Sequence, residues 1–441
     1  MSNFLFICTA FAPKNVIGSV RPTKIAKYLV REGHEITVVM PELPPDEPRD
    51  DLLMSEEMAR VRFLSVPYGG AYHRIRGRYR QGAGREAGAG SSGGASPLRQ
   101  LARFFYGLYS EAAWARRAKK LLAQNKPDAP FDAVFSTYPN VGTHWVAAHV
   151  RRRGQARRWI ADFRDPMVYD WQNGLQRRLN RRLQSAVERR CDAAVIVSRD
   201  AMEKFSVSGR AGKLRWIPNG FDPEDLAGLA DAGIEPAPHP GMERRLVLSY
   251  AGGLYGGKRD LTALFSALRG LMDEGLLPRD SLLFQYAGGD EGVLRGFAEA
   301  AGLGDSLSCL GRVPRAKALK MQRESDAVVV CSHNSRQDRG IMTGKAYEAL
   351  MLGRPVITLV NGDLAGSELG YMMKDVNAGA VYEEAERAAG VEALRAFLLR
   401  LYRQKTGKGR TAQEMDEEKK SEYAYDRIAR KMLSLMTGEA S

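Results

Sequence analysis

The sequence predicts an α/β protein built from two doubly wound, parallel-sheet domains. Three observations predict it. Short apolar runs alternate with helical patterns along both halves of the chain. Glycine-rich turns follow several of those runs. And 441 residues suffice for two or three domains, each burying its own core. Strands separated by helices pair in parallel, are covered on both faces, and bind ligands at their carboxyl ends. The expected ligand site is therefore a central cleft that the two domains face.

The first half reads in this order. Phe4–Cys8 is a strand, and Thr9 to Val20, with Pro13 and Gly18, is a loop. A helix runs from about Pro22 to Arg31, where proline suits a helix start. Gly33-His34 then leads into the strand Glu35–Met40, and Val61–Val66 is a further strand. Residues 82–96, rich in Gly, Ala and Ser, read as a mobile loop. Helices over about 98–125, 141–153 and 173–190 alternate with strands Ala133–Ser136, Arg158–Asp162 and Ala193–Val197. Arg215–Ile217 closes the half before the turn Pro218-Asn219-Gly220.

The second half repeats the pattern after a linker over 221–243. Strand Leu246–Tyr250 enters the loop Gly252-Gly253-Leu254-Tyr255-Gly256-Gly257-Lys258-Arg259. A helix follows with Leu261, Leu264, Phe265, Leu268 and Leu271 on one face. Leu282–Tyr286, Leu307–Leu310 and Ala327–Cys331 are strands, the second followed by Gly311-Arg312-Val313-Pro314 and a helix to about Glu324. Residues 384–404 and 412–436 read as helical. The resulting division is a first domain over 1–220, a second over 244–410, and a C-terminal helix within 411–441 that packs back on the first.

Composition excludes several classes. Hydrophobic content of 44% and charged content of 27% are those of an ordinary globular protein. Cys8, Cys191, Cys309 and Cys331 are scattered, which argues against a disulfide framework or zinc site and for a reducing compartment. No apolar run approaches the roughly 20 residues of a membrane span, and the N-terminus opens on a strand rather than a signal peptide. The charge is uneven: residues 1–220 hold 37 Lys+Arg against 20 Asp+Glu, the remainder 29 against 32. The excess gathers at Arg74, Arg76, Arg78 and Arg80, around Arg116–Lys120, around Arg151–Arg158, and along Arg177–Arg190. Such a field suits an anionic membrane surface, a phosphorylated lipid or nucleic acid. The membrane surface is favoured, because Leu101, Phe104, Phe105, Leu108 and Tyr109 recur at helical spacing beside the basic runs; the same residues also fit a core face.

Thr343 to Val360 carries the most chemical information. Thr343 is a good helix N-cap, and Gly353 with Pro355 is a good stop, so a short helix precedes the strand Val356–Val360. Lys345 and Glu348 lie three apart and share a face near the helix N-terminus. Backbone N–H groups and a lysine suit phosphate, and a carboxylate accepts ribose hydroxyls. An ordinary surface Lys–Glu pair fits the same spacing. The loop Gly252–Arg259 is a second phosphate candidate, since its glycines let backbone approach an anion at a helix start.

Six segments together resemble a family. Phe11-Ala12-Pro13 to Gly18-Ser19-Val20-Arg21, Arg31-Glu32-Gly33-His34-Glu35-Ile36-Thr37-Val38-Val39, Asp162-Phe163-Arg164-Asp165-Pro166, Ile217-Pro218-Asn219-Gly220-Phe221-Asp222, Gly311-Arg312-Val313-Pro314 with Ser325-Asp326-Ala327, and Thr343 to Val356 occur in the order seen in retaining, nucleotide-sugar-dependent glycosyltransferases of the GT-B fold, closest to family 4. The resemblance covers nearly the whole chain. It implies two Rossmann-like domains, no metal and no cofactor, and a nucleotide-sugar co-substrate such as a UDP- or GDP-sugar. It implies donor contacts at Gly18, Gly253, Lys258 or Arg259, Thr343, Gly344, Lys345 and Glu348, with Gly18 and Arg21 facing donor phosphates or acceptor. Asp165, with Arg164, is the candidate group acting on the acceptor hydroxyl, while Asp162 and His144 also fit structural roles. The sequence departs from the family in three places, the first being Met167, which replaces the tryptophan that follows the Asp162–Pro166 motif. The family's first motif glutamate falls at Gly340, with Asp338 and Arg339 nearby, and the acceptor loop lacks the histidine that related enzymes often carry.

The function expected is transfer of a sugar, with retention, from a nucleotide-diphosphate donor to a hydroxyl acceptor. Charge in the first half points to a lipid-linked acceptor or growing surface glycan at the inner face of the cytoplasmic membrane, with no nucleic acid. An epimerase acting on a nucleotide-sugar, and a catalytically silent scaffold, are the competing expectations.

Overall fold

The computed structural model describes residues 1–67, 97–170, 172–205, 211–231 and 245–439. The expected mobile loop at 82–96, the arginines at 74–80 and most of the expected linker lie outside these residues. The chain forms two compact units, one of Met1–Pro218 with Tyr425–Ser441, the other of Asn219–Ala424.

The first unit carries seven parallel strands: β1 (Asn3–Ile7), β2 (Glu35–Pro41), β3 (Arg62–Val66), β4 (Phe131–Tyr138), β5 (Ala156–Phe163), β6 (Ala193–Ile196) and β7 (Leu214–Trp216). Their spatial order is β3-β2-β1-β4-β5-β6-β7. The chain therefore winds outward from β1 in one direction and from β4 in the other, so β1 and β4 flank the switch point. Alternation along β1 feeds two cores. Phe4 and Phe6 pack with Ile25 and Leu29 on one face, and Leu5 and Ile7 pack with Trp114 and Val146 on the other. The helices are α1 (Ile17–Arg31), α2 (Pro97–Gln124), α3 (Val141–Arg152), α4 (Gly174–Arg190) and the short α5 (Arg199–Met202). The C-terminal helix Tyr425–Thr437 lays Ile428, Met432 and Met436 on the α1 face of this sheet.

The predicted start of α1 at Pro22 is corrected. The helix begins at Ile17, and Pro22 lies inside it. A proline there removes the N–H that would bond the carbonyl of Gly18, and a side chain supplies the missing donor, as described below.

The second unit holds β8 (Leu246–Ala251), β9 (Leu282–Ala287), β10 (Leu307–Cys309), β11 (Ala327–His333), β12 (Val356–Asn361) and β13 (Gly379–Glu383), all parallel, in the order β10-β9-β8-β11-β12-β13. Here the switch point lies between β8 and β11. The helices are α6 (Asp225–Asp231), α7 (Thr262–Asp273), α8 (Glu291–Ala300), α9 (Arg315–Glu324), α10 (Gly344–Leu352), α11 (Glu368–Asp375), α12 (Arg387–Lys408) and α13 (Glu417–Ser421). Leu264, Phe265 and Leu268 of α7 bury against Leu248 and Phe284, as their spacing predicts. The segment 221–243, expected to be linker, contains α6, which packs within this unit. Helix α11 and strand β13 had no sequence expectation, and residues 412–436 form two helices rather than one.

Candidate active site

At the second unit's switch point, β8 runs into the glycine loop. Tyr250 and Tyr286 are register partners on adjacent strands, and their rings stack at 5.9 Å and 9°. The Tyr286 hydroxyl donates to the Gly252 carbonyl at 2.9 Å, and the Tyr250 hydroxyl to the Gly253 carbonyl at 2.9 Å. A trans peptide points its C=O and N–H in opposite directions. Pinning the Gly252 carbonyl to Tyr286 thus turns the Gly253 N–H to the other side of the loop. Gly252 has φ of 143°, and a methyl group there would overlap Cε of Lys345. Glycine at 252 is required both by its backbone conformation and by the lysine stem lying against it.

Of the two basic residues that the sequence left open, Arg259 is built into the loop. Its Nη1 donates to the Gly253 carbonyl at 3.2 Å, and its guanidinium lies 4.5 Å from the Tyr255 ring. Lys258 is exposed. Lys345 follows Gly344 in the first turn of α10. Burial lowers its pKa, Glu348 opposes that shift, and the positive charges of Arg259 and Arg315 add to it. Three cations thus share this corner with one carboxylate on α10.

Glu348 is not half of a simple surface pair. Its Oε1 accepts from Nε of Arg315 at 2.7 Å, and the same guanidinium reaches Oδ2 of Asp225 at 3.3 Å. The three side chains are 14%, 15% and 4% exposed, so the network is largely shielded from water. Burial raises the Glu348 pKa, but Arg315 and Lys345 outweigh it and hold the carboxyl below its ordinary value. Sequence reading missed Arg315 and Asp225. Arg315 directly follows the Gly311–Pro314 motif, the one local signal that marked its neighbourhood.

Thr343 holds the N-cap position of α10, but its hydroxyl makes no cap bond. The helix N-terminus therefore presents first-turn N–H groups that no side chain caps. Gly340 has φ of 75°. A glutamate would be strained there by about 1 kcal/mol or more, which gives a backbone reason for the departure from the family pattern. Asp338 sits 3.5 Å from Nε2 of His333, and Ser332 Oγ ties the loop down through the Ile341 carbonyl at 3.1 Å.

In the first unit, Gly18 and Arg164 meet at the β1/β4 switch point. Arg164 donates from Nη1 to the Gly18 carbonyl at 2.7 Å and from Nε to the Tyr138 carbonyl at 2.9 Å. A side chain on Gly18 would overlap this guanidinium. Arg21, expected to face phosphate or acceptor, is instead 2% exposed. It donates to Asp162 Oδ1 at 3.0 Å and to the carbonyls of Pro218 and Ile217, while Thr137 Oγ1 donates to Asp162 Oδ2 at 2.9 Å. Arg21 and Asp162 thus form a buried strut, whose charge-assisted hydrogen bonds tie α1 to β5 and to the turn at Ile217–Pro218. His144 is fully buried, bonded through Nδ1 to Ser136 Oγ at 2.8 Å, and burial pushes its pKa down to about 3.

Asp165 is exposed at the end of β5, yet the protein around it raises its carboxyl pKa by desolvation, with Arg164 opposing. A second acid, missed in the sequence, stands nearby. Glu111 of α2 accepts from the Gly142 N–H at 3.2 Å, and burial pushes its carboxyl up to about 7 against the pull of the Gly142 and Val141 amides. Burial also raises the Tyr138 hydroxyl, and the charges of Glu111 and Asp165 add to the shift, so all three groups share one neighbourhood. Among the described residues no three of His, Cys, Asp and Glu gather closely enough to hold a metal ion.

Residues 18–220 match the family model described as "Glycosyl transferase 4-like domain". The match covers most of the first unit. Solved structures share the fold over essentially the full length. A sucrose-phosphate synthase from Thermosynechococcus elongatus is 15% identical, with 99% of this chain and 98% of that chain covered and a TM-score of 0.62. An E. coli structure titled trehalose-6-phosphate and bound with UDP-2-fluoro glucose is 14% identical, with 100% of each chain covered and a TM-score of 0.63. An alpha,alpha-trehalose-phosphate synthase (UDP-forming) from Burkholderia xenovorans, in complex with glucose-6-phosphate, is 12% identical, with 99% and 100% covered and a TM-score of 0.61. No curated protein matches the chain. The likeness to these structures shows a shared fold, two parallel Rossmann-like sheets as in GT-B glycosyltransferases.

Proposed function

We propose that the chain is a retaining, nucleotide-sugar-dependent glycosyltransferase that seats the diphosphate of its donor between the glycine loop and the start of α10, and passes the sugar to a hydroxyl on a lipid-linked or growing surface glycan. One observation carries the donor half: Lys345, Arg259 and the uncapped α10 N-terminus gather beside Gly252, which a side chain would block. Lys345 and Arg259, with Lys258 at the exposed edge, neutralise charge developing on the leaving diphosphate. Glu348, fixed by Arg315, accepts the ribose hydroxyls. Gly253, Thr343 and Gly344 supply backbone contacts. A uridine or guanosine diphosphate fits these contacts equally.

On the acceptor side, Asp165 or Glu111 takes the acceptor proton. Glu111 suits that task because its pKa lies near neutrality. Gly18 and Arg164 shape the site rather than react.

A membrane-surface acceptor is supported by α2. Phe105, Tyr106 and Tyr109 are 46%, 37% and 65% exposed, and Arg116 and Lys120 are exposed farther along the same helix. Leu108, expected on the same face, packs partly against the core instead. Aromatic and basic groups on one helix suit an anionic interface. Among the described residues no helix is long and apolar enough to cross a membrane.

Titration with UDP and GDP, followed by donor-sugar hydrolysis assays, tests the donor reading. Saturable binding that falls at least tenfold in Lys345→Ala supports it; equal binding by the variant overturns it. Flotation with anionic and neutral liposomes tests the interface, and equal recovery in both would remove it.

A further inference from the structure

A cavity of about 640 Å³ lies in the first unit between α2, α3, β5 and the end of α4. It is lined by Lys119, His149, Arg151, Arg152 and Arg190, with Trp145 and Trp159 forming aromatic wall, and no carboxylate lines it. Arg151 is paired with Asp192 at 3.2 Å. Among the described residues no carboxylate pairs with Lys119, Arg152 or Arg190. Helix α3 runs antiparallel to the strands, so its last turn, with His149, Arg151 and Arg152, lies toward their amino ends. The cavity is therefore at the opposite edge of the sheet from Gly18, Tyr138, Arg164 and Asp165.

Basic residues near a helix C-terminus are ordinary, because they complement the helix dipole. Here cations from three helices converge on one concave volume, which the dipole does not explain. Their mutual repulsion is visible in the pKa directions. Burial lowers Lys119 and Arg152 lowers it further; burial lowers His149, and Lys119, Arg153 and Arg152 add to that. Such an arrangement is relieved by a bound anion. A bare phosphate would leave most of the volume empty, whereas cavities of this size hold small organic ligands. The tryptophan wall suits the organic part, since an aromatic face packs against sugar C–H groups or acyl carbons.

We propose that this cavity is a second ligand site, for an organic phosphate whose phosphate group is held by Lys119, Arg152 and Arg190 and whose organic part lies on Trp145. The phosphate ester is either a soluble sugar phosphate or a lipid headgroup. The site is separate from the donor seat, and it does not depend on the reading of the acceptor.

The test uses the full-length protein and two arms. One titrates glucose 6-phosphate calorimetrically at physiological ionic strength, with glucose as the neutral comparator. The other measures flotation with phosphatidylcholine vesicles with and without phosphatidic acid. The variant Lys119→Met/Arg152→Gln/Arg190→Gln removes the charges; the single variant Arg190→Gln, at an exposed position, serves if the triple variant fails to fold. UDP binding is the control for an intact protein. Saturable binding of glucose 6-phosphate, weakened about tenfold or more in the triple variant and measurably in Arg190→Gln while UDP affinity holds, establishes a soluble ligand. Binding confined to phosphatidic acid vesicles and lost in the same variants establishes a lipid one. The proposal is overturned if neither probe binds, or if the variants bind either probe as well as the parent protein does.

Discussion

The carbonyl of Gly18 accepts Nη1 of Arg164 at 2.7 Å in the place of the backbone N–H that Pro22 lacks. A proline four residues after Gly18 would leave that carbonyl unpaired. The guanidinium fills the gap and reaches the Tyr138 carbonyl as well, joining the start of α1 to the ends of β4 and β5.

Arg164→Lys is expected to destabilise the protein by about 1–3 kcal/mol, because one ammonium does not reproduce the two-pronged geometry at the carbonyls. Pro22→Ala restores an N–H to the Gly18 carbonyl. In that background Arg164→Lys should cost measurably less. Denaturant melts of the four proteins of the cycle give the coupling, and a coupling of zero would refute this account of Arg164.

Gly252→Ala should weaken UDP binding about tenfold or more, by forcing Lys345 away and straining the loop. In a Lys345→Ala background the same change should cost less, since the overlapping stem is gone. Calorimetry on the two single variants and the double variant checks this; strictly additive losses would count against it.

Arg315→Met should cost about 3–5 kcal/mol, because it leaves Glu348 and Asp225 buried without their shared cation. The Glu348 pKa is held low in the folded protein, so its contribution is present above the ordinary carboxylate pKa and is lost as pH falls through the lower folded value. The loss in Arg315→Met should therefore be largest at neutral pH and shrink in acid, as read by unfolding midpoints across pH.

His144 is a base whose folded pKa is depressed from 6.5 to about 3. Its contribution to stability is intact above pH 6.5 and falls progressively between pH 6.5 and about 3, as the unfolded chain takes up the proton first. His144→Asn should flatten that acid limb. An unchanged slope would show that other groups set it.

Glu111 titrates the other way. An acid whose folded pKa is raised from 4.5 to about 7 costs stability progressively as pH rises through that interval. Glu111→Gln should remove this loss. If Glu111 is also the group that accepts the acceptor proton, kcat should fall roughly 100-fold in the variant, and the limb of the pH–rate profile near pH 7 should disappear. Steady-state kinetics across pH decides between a structural and a chemical role.

The sequence determined the two parallel-sheet units, nearly every strand, and the glycine loop and short helix of the proposed donor seat. These are encoded locally: strand and helix periodicities differ, and glycine and proline mark the turns whatever surrounds them. Gly353 ends α10 with φ of 65°, as its position after a helical run predicted. The tertiary structure alone decided which charged groups meet. Arg21 reads as an active-site arginine and is a buried strut on Asp162. Glu348 reads as a ribose contact or as the surface partner of Lys345; it is held by Arg315, 33 residues away, whose guanidinium also reaches Asp225, 90 residues from Arg315. Glu111, midway along a helix, gives no local signal, and only the approach of α2 to the start of α3 desolvates it. Charge pairing and burial depend on distances across the fold, and sequence spacing fixes such distances only within a few residues along a helix or strand.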